Sequence, residues 1–488
     1  MSKKTTTKKL LTSAAILGVA GVLCRIIGVI IRIPLTNIIG NYGMGIYQMV
    51  FPLYALLLII SSAGVPVAIS KMVARQIAGG KKTQESADED NASTTGDTGA
   101  RHKVDDNMPE CRRILYNSII LLGLVGFAMS ILFMLFSYPI AKLQGNSAVW
   151  IIYIAIAPSV FLVCVIAAFR GYFQGLQNMI PTAASQIIEQ TIKLIVALTL
   201  AIILVKKSII LAVFGAILAV TISEIIALGF LIFVYLRHRK KCGGDLNKGK
   251  STERFLKRYF DKKLILEIIK TSIPITLMCS VFPLILVIDS LFIIKMLTLS
   301  GTSHEESTQL FGIASGVVHT LINLPAVLGV ALATAVVPCV ATLVKQKKYK
   351  ELKKKISLSL LITLAVSAFF IVIYLIFAKD IINLLYRNAF RDNSSHLDVA
   401  TKIMRIESFL ILLVCITMVM SAVMQGVGKA KYPLIAITIG GVAKLVFQFA
   451  FLATPMGIYA VAIGNIICFG IAATINTVNL FAITRKWV

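Results

Sequence analysis

The stretch FRGYFQGLQNMIPTAASQIIEQTIK, Phe169–Lys193, shows in one place the features that decide the fold. Its first part, Arg170–Ile180, is polar and contains glycine, which predicts a turn at a membrane surface. Pro181 then opens an apolar helix, a position where its missing N–H costs nothing. Lys193 follows about 18 Å along the helix axis, at ~1.5 Å per residue. At that depth in a hydrocarbon layer of about 30 Å, a charge needs a partner or a watery cavity.

The composition is typical of a polytopic membrane protein. The 488 residues are 57% hydrophobic, carry a net charge of +27 and have a mean hydropathy of +0.86. The basic residues cluster in connections between apolar runs, which indicates membrane topology and no nucleic-acid partner. The eight cysteines occur singly, without metal or redox spacing, so we interpret them as packing residues. The apolar run after the N-terminal lysines is interpreted as an uncleaved first helix.

Apolar runs predict an all-α membrane protein with twelve transmembrane helices. The predicted helices span 10–33, 44–70, 114–137, 148–169, 181–205, 208–236, 264–294, 309–343, 357–378, 403–424, 433–452 and 457–483. The eighth is too long for a straight span and contains Pro325 and Pro338, which predict a kink. With the N-terminus inside, the cytoplasmic connections hold 35 of the 49 basic residues, and the outer side holds 9 when Arg32 at the outer end of the first helix is counted there. We therefore expect a multi-pass protein of the bacterial cell membrane with both termini in the cytoplasm.

Two polar segments interrupt the helices. Residues 79–110 are rich in acidic and small polar side chains and predict a disordered cytoplasmic insert, regulatory or merely tolerated. Residues 237–263 are strongly basic and predict a cytoplasmic linker. The linker divides the chain into two six-helix lobes, 1–236 and 264–488, around a central cavity.

The two lobes share a short sequence pattern. Gln174–Gly175 precedes Pro181 and Lys193 in the first, and Gln425–Gly426 precedes Pro433 and Lys444 in the second. Six helices per lobe make both start on the same membrane side, so the repeat is parallel. We therefore expect Lys193 and Lys444 to face one cavity from opposite sides.

Charged residues within the apolar runs are the candidate site. The predicted cavity residues are Arg25, Arg32, Glu189, Lys193, Glu224, Asp289 and Lys444. Alternatives stay open for some of them: Arg32 could reach the outer surface, Glu189 and Lys193 share a helix face and could form a structural pair, and Asp289 could be partly exposed. Arg405 and Glu407 are expected in a polar rim, and His319 packed within helix eight.

This set of charges indicates an anionic ligand. Arginine offers a fork and lysine a point charge, both suited to phosphate groups. Glu189 and Glu224 could balance the empty cavity or bind a proton or sodium ion. The sequence has no P-loop, no His/Cys metal cluster and no catalytic constellation, so we predict neither an enzyme nor a resident cofactor, with coupling to protons, sodium or the membrane potential.

Several stretches resemble a known family. They are RIIGVIIRIPL (Arg25–Leu35), GNYGMGIYQMVFPLY (Gly40–Tyr54), SSAGVPVAISK (Ser61–Lys71), Phe169–Lys193 and NLPAVLGVALATAVVP (Asn323–Pro338). They are similar to polysaccharide-biosynthesis membrane proteins typified by stage V sporulation protein B, relatives of the lipid II flippases in the multidrug/oligosaccharidyl-lipid/polysaccharide exporter superfamily. The resemblance implies a MATE-like two-lobed transporter with alternating access and an undecaprenyl-pyrophosphate-linked sugar as cargo. It also implies that Arg25 engages the anionic headgroup.

The sequence departs from the lipid II flippases at several points. Their second cavity arginine falls one residue out of register with Arg32. Ile46 and Tyr47 stand where they have an acidic residue, and Thr320 stands where they have an arginine. Their two additional C-terminal helices have no counterpart among the twelve predicted here. The cargo therefore need not be lipid II.

Three functions compete on the sequence alone. The first is a flippase for a lipid-linked peptidoglycan precursor, acting as a monomer with membrane lipids around it and cell-wall synthesis proteins as candidate partners. The second is a cation-coupled multidrug-type exporter, in which buried acids carry the coupling. The third is a non-transporting scaffold for envelope synthesis.

Overall fold

A computed structural model describes residues 3–62, 64–85, 108–241, 261–391 and 393–484. Over these residues the chain forms only helices and the turns that join them. The helices are α1 Lys3–Ser62, α2 Val65–Glu85, α3 Met108–Leu135, α4 Ser137–Leu143, α5 Trp150–Gly175, α6 Ile180–Val205, α7 Ile209–Lys241, α8 Lys262–Leu299, α9 His304–Gly312, α10 His319–Lys345, α11 Tyr349–Leu385, α12 Ser394–Gly426, α13 Lys431–Phe451 and α14 Tyr459–Thr484. The predicted all-α class is confirmed.

Helix α1 contains two membrane crossings joined at Gly40. This glycine has φ 69°, a left-handed conformation that residues with a Cβ rarely adopt. In one straight helix Arg32 and Phe51 would lie about 28 Å apart at ~1.5 Å per residue. The Arg32 guanidinium instead lies 5.9 Å from the Phe51 ring, so the chain folds back at Gly40. Eleven segments of the described chain are long and apolar enough to span a membrane, and the first contains this reversal.

The glycines of the stretch Phe169–Lys193 lie at contacts between helices rather than in a surface turn. Helix α5 continues to Gly175, so the predicted turn at Arg170–Ile180 is wrong except for its last residues. A side chain at Gly171 would meet the main chain of Pro66, and one at Gly175 would meet Val73 of α2. Small residues let two helices approach closely within a membrane. Arg170 therefore lies within a helix and points into the protein.

The same contact recurs in the second half of the chain. Gly426, at the end of α12, lies against Val340 of α10, as Gly175 at the end of α5 lies against Val73 of α2. The Gln-Gly pairs noticed in the sequence thus occupy equivalent packing positions. This agreement supports a parallel structural repeat.

Two helix boundaries and one helix irregularity also differ from the sequence predictions. Helix α2 continues to Glu85 and α3 begins at Met108, so both ends of the predicted 79–110 insert are helical and its remainder, 86–107, lies outside the described residues. The long eighth helix is irregular at a π-helical segment, Ile313–Val318, upstream of both prolines. Such segments leave the regular hydrogen-bond ladder, and here Gln48 donates to the freed carbonyl of Ser315.

The two halves share one hydrophobic core at one end of the bundle. This core combines Ile46 and Val50 with Ile294, Val317 and Ile411, among others from both halves. At the other end the cores are separate: one draws mainly on residues 65–235 and one on residues 336–483. We call the end with the shared core the closed end and the end with the separate cores the open end. The closed end carries the connections expected outside the cell.

Helix α8 links the halves at the open end. Leu264 and Ile268 pack into the core of the first half, and the Asp261 carboxylate lies 3.2 Å from the Arg113 guanidinium of α3. Further along α8, Asp289 pairs with Lys444 of α13. The division into lobes at 237–263 stays a prediction. The residues just after that linker pack on the first half.

A glycine in α1 sets the distance between the halves at the closed end. A Cβ at Gly45 would collide with the main-chain carbonyl of Thr308 in α9. We expect Gly45→Ala to destabilise the protein by about 1–3 kcal/mol, the usual cost of overpacking a tight contact. Gly229→Ala is the control, since nothing lies within 4 Å of a Cβ there. Thermal unfolding of both purified variants in detergent tests this, and equal midpoints would show that the contact can relax.

Candidate functional site

Two adjoining cavities lie between the halves. The first has a volume of 320 Å³ and is lined by Arg25, Arg32 and Lys193 from the first half and by Thr320 and Asn323 from the second. None of the described residues that line it carries a carboxylate. Three cations without an acidic lining residue make this space strongly attractive to an anion.

Arg32 occupies the junction of the two cavities and lines both. Its guanidinium donates to the Thr320 hydroxyl at 3.4 Å and lies over the Phe51 ring. The alternative that Arg32 reaches the outer surface is therefore wrong. The fold-back of α1 at Gly40 places it between the halves.

Arg25 and Lys193 also line the first cavity. Arg25 is exposed. Lys193 is partly buried and makes no ion pair within the described part of the chain. Its burial beside Arg32 makes an anionic ligand a favourable partner for both.

Glu189 is paired with a residue that the sequence analysis placed in a turn. Its carboxylate lies 2.9 Å from the Arg170 guanidinium, and Arg170 also donates to the Ser185 hydroxyl at 3.0 Å. The predicted structural pair of Glu189 with Lys193 does not form, because Glu189 is directed towards α5. Glu189 lines neither cavity. The first cavity therefore keeps the full charge of Lys193.

Asp289 and Lys444 form a buried ion pair across α8 and α13. The carboxylate and the ammonium group are 2.5 Å apart, and their side chains are 9% and 5% exposed. Asp289 is thus buried rather than partly exposed. Both line the second cavity, whose volume is 240 Å³. Lys193 and Lys444, expected to face one cavity, line two adjoining cavities that share Arg32, Phe51 and Asn323. Of these two lysines, Lys444 is the one that pairs with an acid among the described residues.

Two other acids are buried away from the cavities. Glu224 accepts a hydrogen bond of 2.7 Å from the Tyr54 hydroxyl, and Glu407 accepts one of 2.7 Å from the Asn465 amide. Neither lines a cavity, so Glu224 is buried as expected but does not face the pathway. Arg405 is exposed, whereas Glu407 is only 1% exposed and does not sit in a polar rim.

Several polar residues of the site were not predicted from the sequence. Asn323 lines both cavities, and His319, expected to be packed, lines the second with Gln48 and Asn465. Asn323 and His319 are four residues apart and therefore share a helix face. The four-residue spacing of His319 and Asn323, next to the Asn-Leu-Pro sequence, was the signal in the sequence that could have placed both residues in the site.

The described ranges contain no cluster of metal-ligating side chains. No group of three or more His, Cys, Asp or Glu side chains is placed to hold an ion there. The seven described cysteines are free. The site is one of charge and hydrogen bonding.

The helices and the basic cavity define a membrane transporter. Residues 10–344, more than half of the chain, match the family described as polysaccharide biosynthesis protein. The chain therefore belongs to that family, whose relatives are transporters and flippases rather than enzymes. Residues 274–450 also match the MatE family.

Individual proteins agree with this assignment. Stage V sporulation protein B of Bacillus subtilis (strain 168) is 27% identical over 77% of this chain and 66% of its own length. Lipid II flippase MurJ of the same organism is 24% identical over 90% of this chain and 77% of its own. An inward-facing multidrug resistance MATE transporter matches with a TM-score of 0.71 and 15% identity over 98% of both chains. The resemblance to stage V sporulation protein B and the MATE-like fold are thereby confirmed.

Proposed function

We propose that the protein flips an undecaprenyl-pyrophosphate-linked oligosaccharide, a peptidoglycan precursor, from the inner to the outer leaflet. The observation that carries this proposal is the first cavity, with Arg25, Arg32 and Lys193 and no acidic lining residue. A pyrophosphate offers several oxygens for the two guanidinium forks and the ammonium group. Relatives named as a lipid II flippase and a sporulation protein support this cargo.

Transport would proceed by alternating access between the halves. The headgroup enters from the open end, where the cores of the halves are separate, while the polyprenyl tail stays in the surrounding lipid. The halves then separate at the shared core, which opens the closed end of the bundle. If the open end faces the cytoplasm, as the basic connections indicate, a membrane potential negative inside favours outward movement of the anion by ~2.3 kcal/mol per charge per 100 mV.

A cation-coupled multidrug-type exporter is the second candidate. The buried acids Asp289, Glu224 and Glu407 favour it, since a proton or sodium ion could act there. The charge of the first cavity opposes it, because organic cations would meet three like charges. Changed drug susceptibility on deletion, reversed by wild type but not by Glu407→Gln, would support this alternative.

Identification of the bound headgroup tests the proposal. We expect protein purified from membranes to retain a pyrophosphate-linked lipid, detectable by mass spectrometry, and Arg25→Ala to lose most of it. Arg405→Ala is the matched control, because Arg405 is exposed and lines neither cavity. Recovery only of lipids without phosphate would refute the proposed cargo, and retention of the same lipid by Arg25→Ala would remove Arg25 from the headgroup site.

A further inference from the structure

The second cavity has a different chemistry from the first. Its lysine, Lys444, is neutralised by Asp289, so Arg32 at the junction is the one uncompensated charge among the described residues that line it. The first cavity carries two further cations, Arg25 and Lys193. A site for a single long cargo is thus divided into a cationic compartment and a nearly neutral one.

Uncharged hydrogen-bonding groups surround the second cavity. The amides of Gln48, Asn323 and Asn465 and the imidazole of His319 line it. Amides and imidazole each both donate and accept, which suits hydroxyl and acetamido groups. The Oδ1 atom of Asp289 is buried and has no hydrogen-bond partner among the described residues, so it offers a strong acceptor for a hydroxyl.

The size and the apolar wall of this cavity limit what it can hold. Its volume of 240 Å³ is below the usual range of ~300–1,000 Å³ for pockets that take drug-sized ligands. Phe51 and Phe311 also line it, and an aromatic ring offers an apolar face beside the polar groups. One sugar ring combines the polar edge and apolar face that this lining complements.

The two cavities are contiguous, which fixes the order of the groups that they bind. Arg32, Phe51 and Asn323 belong to both linings. A pyrophosphate held by Arg25, Arg32 and Lys193 therefore directs the group attached to it across Arg32 into the second cavity. We propose that the second cavity is the binding site for the first sugar residue of the cargo. The proposal rests on the proposed function. It adds that the second cavity makes the protein bind a glycosylated lipid pyrophosphate more tightly than the same lipid without a sugar.

A pair of probes separates the two compartments. Binding to the purified full chain in lipid nanodiscs is measured with undecaprenyl pyrophosphate and with the same lipid carrying one N-acetylglucosamine. We expect wild type to bind the glycosylated lipid at least ~10-fold more tightly. Leu286→Trp fills the second cavity, because Leu286 lines it and not the first. This variant should lose the preference and keep its affinity for undecaprenyl pyrophosphate.

Two further variants keep the test decisive. Leu284→Trp makes the same change on the same helix at an exposed position and should retain the preference. His319→Phe keeps the volume of the side chain and removes its hydrogen bonds, so the preference should shrink even if Leu286→Trp folds poorly. Equal binding of both probes by wild type, or equal loss of both in Leu286→Trp and His319→Phe, would overturn the sugar site. Failure of wild type to bind either probe would instead overturn the proposed function.

Discussion

Replacing Lys444 by methionine is expected to lower the free energy of unfolding by about 3–5 kcal/mol, because Asp289 is then left buried without its partner. Both side chains are at most 9% exposed and the pair is 2.5 Å long. Because so little of either side chain is exposed, water replaces only a small part of the interaction with the lysine. Thermal unfolding in detergent, read as a shift of the midpoint and as a loss of monodisperse protein, measures the effect.

Two further variants show whether loss of the Asp289–Lys444 ion pair itself causes the lower stability of Lys444→Met. Asp289→Leu combined with Lys444→Met should restore most of the stability, since replacing both charges by apolar groups removes the desolvation cost. Arg75→Ala breaks a pair whose side chains are 62% and 47% exposed, and exposed pairs contribute only about 0–1 kcal/mol. A double variant as unstable as Lys444→Met would mean that the polar surroundings, rather than the ion pair, require Lys444.

Arg32→Ala should weaken binding of undecaprenyl pyrophosphate by a factor of about 30 to several thousand, corresponding to ~2–5 kcal/mol for truncating one partner of a buried charge pair. Arg32 lies at the junction of both cavities, so no neighbouring cation can replace it. Arg32→Lys should recover only part of the affinity, because lysine keeps the charge and loses the fork. Binding in nanodiscs gives the affinities.

Arg405→Ala again serves as control, and its affinity should equal that of wild type. Unchanged binding in Arg32→Ala would remove Arg32 from the anion site and leave Arg25 and Lys193 as its only cations. Arg32 also holds Thr320 across the two halves. The thermal midpoint of Arg32→Ala must therefore accompany its affinity, so that a loss of folding is told apart from a loss of binding.

Thr320 shows how a departure from a family pattern can be compensated in space. The sequence has threonine where lipid II flippases have an arginine, which suggested a missing cation. In the structure the Arg32 guanidinium lies 3.4 Å from the Thr320 hydroxyl. A cation from α1 therefore occupies the vicinity of that position. Only a structure can reveal this, because residues 32 and 320 belong to different halves of the chain.

The sequence by itself determined the fold class and made the cations of the first cavity visible. Apolar runs of fixed length identify spans because a bilayer imposes one thickness on every helix. Arg25, Arg32 and Lys193 were visible because charges within such runs are costly and rare. The Gln-Gly repeat before Pro181 and Pro433 was also visible, since equivalent helix contacts demand small residues at equivalent places.

The tertiary structure alone decided which charges meet. Glu189 and Lys193 share a helix face, yet Glu189 pairs with Arg170 of α5 and Lys193 faces the cavity. Lys193 and Lys444 are repeat partners, yet only Lys444 has an acid across from it, Asp289 of α8. Spacing along one helix sets the direction of a side chain, whereas its partner depends on which helix packs opposite. That packing joins residues far apart in the chain and divides the site into a cationic compartment and a neutral one.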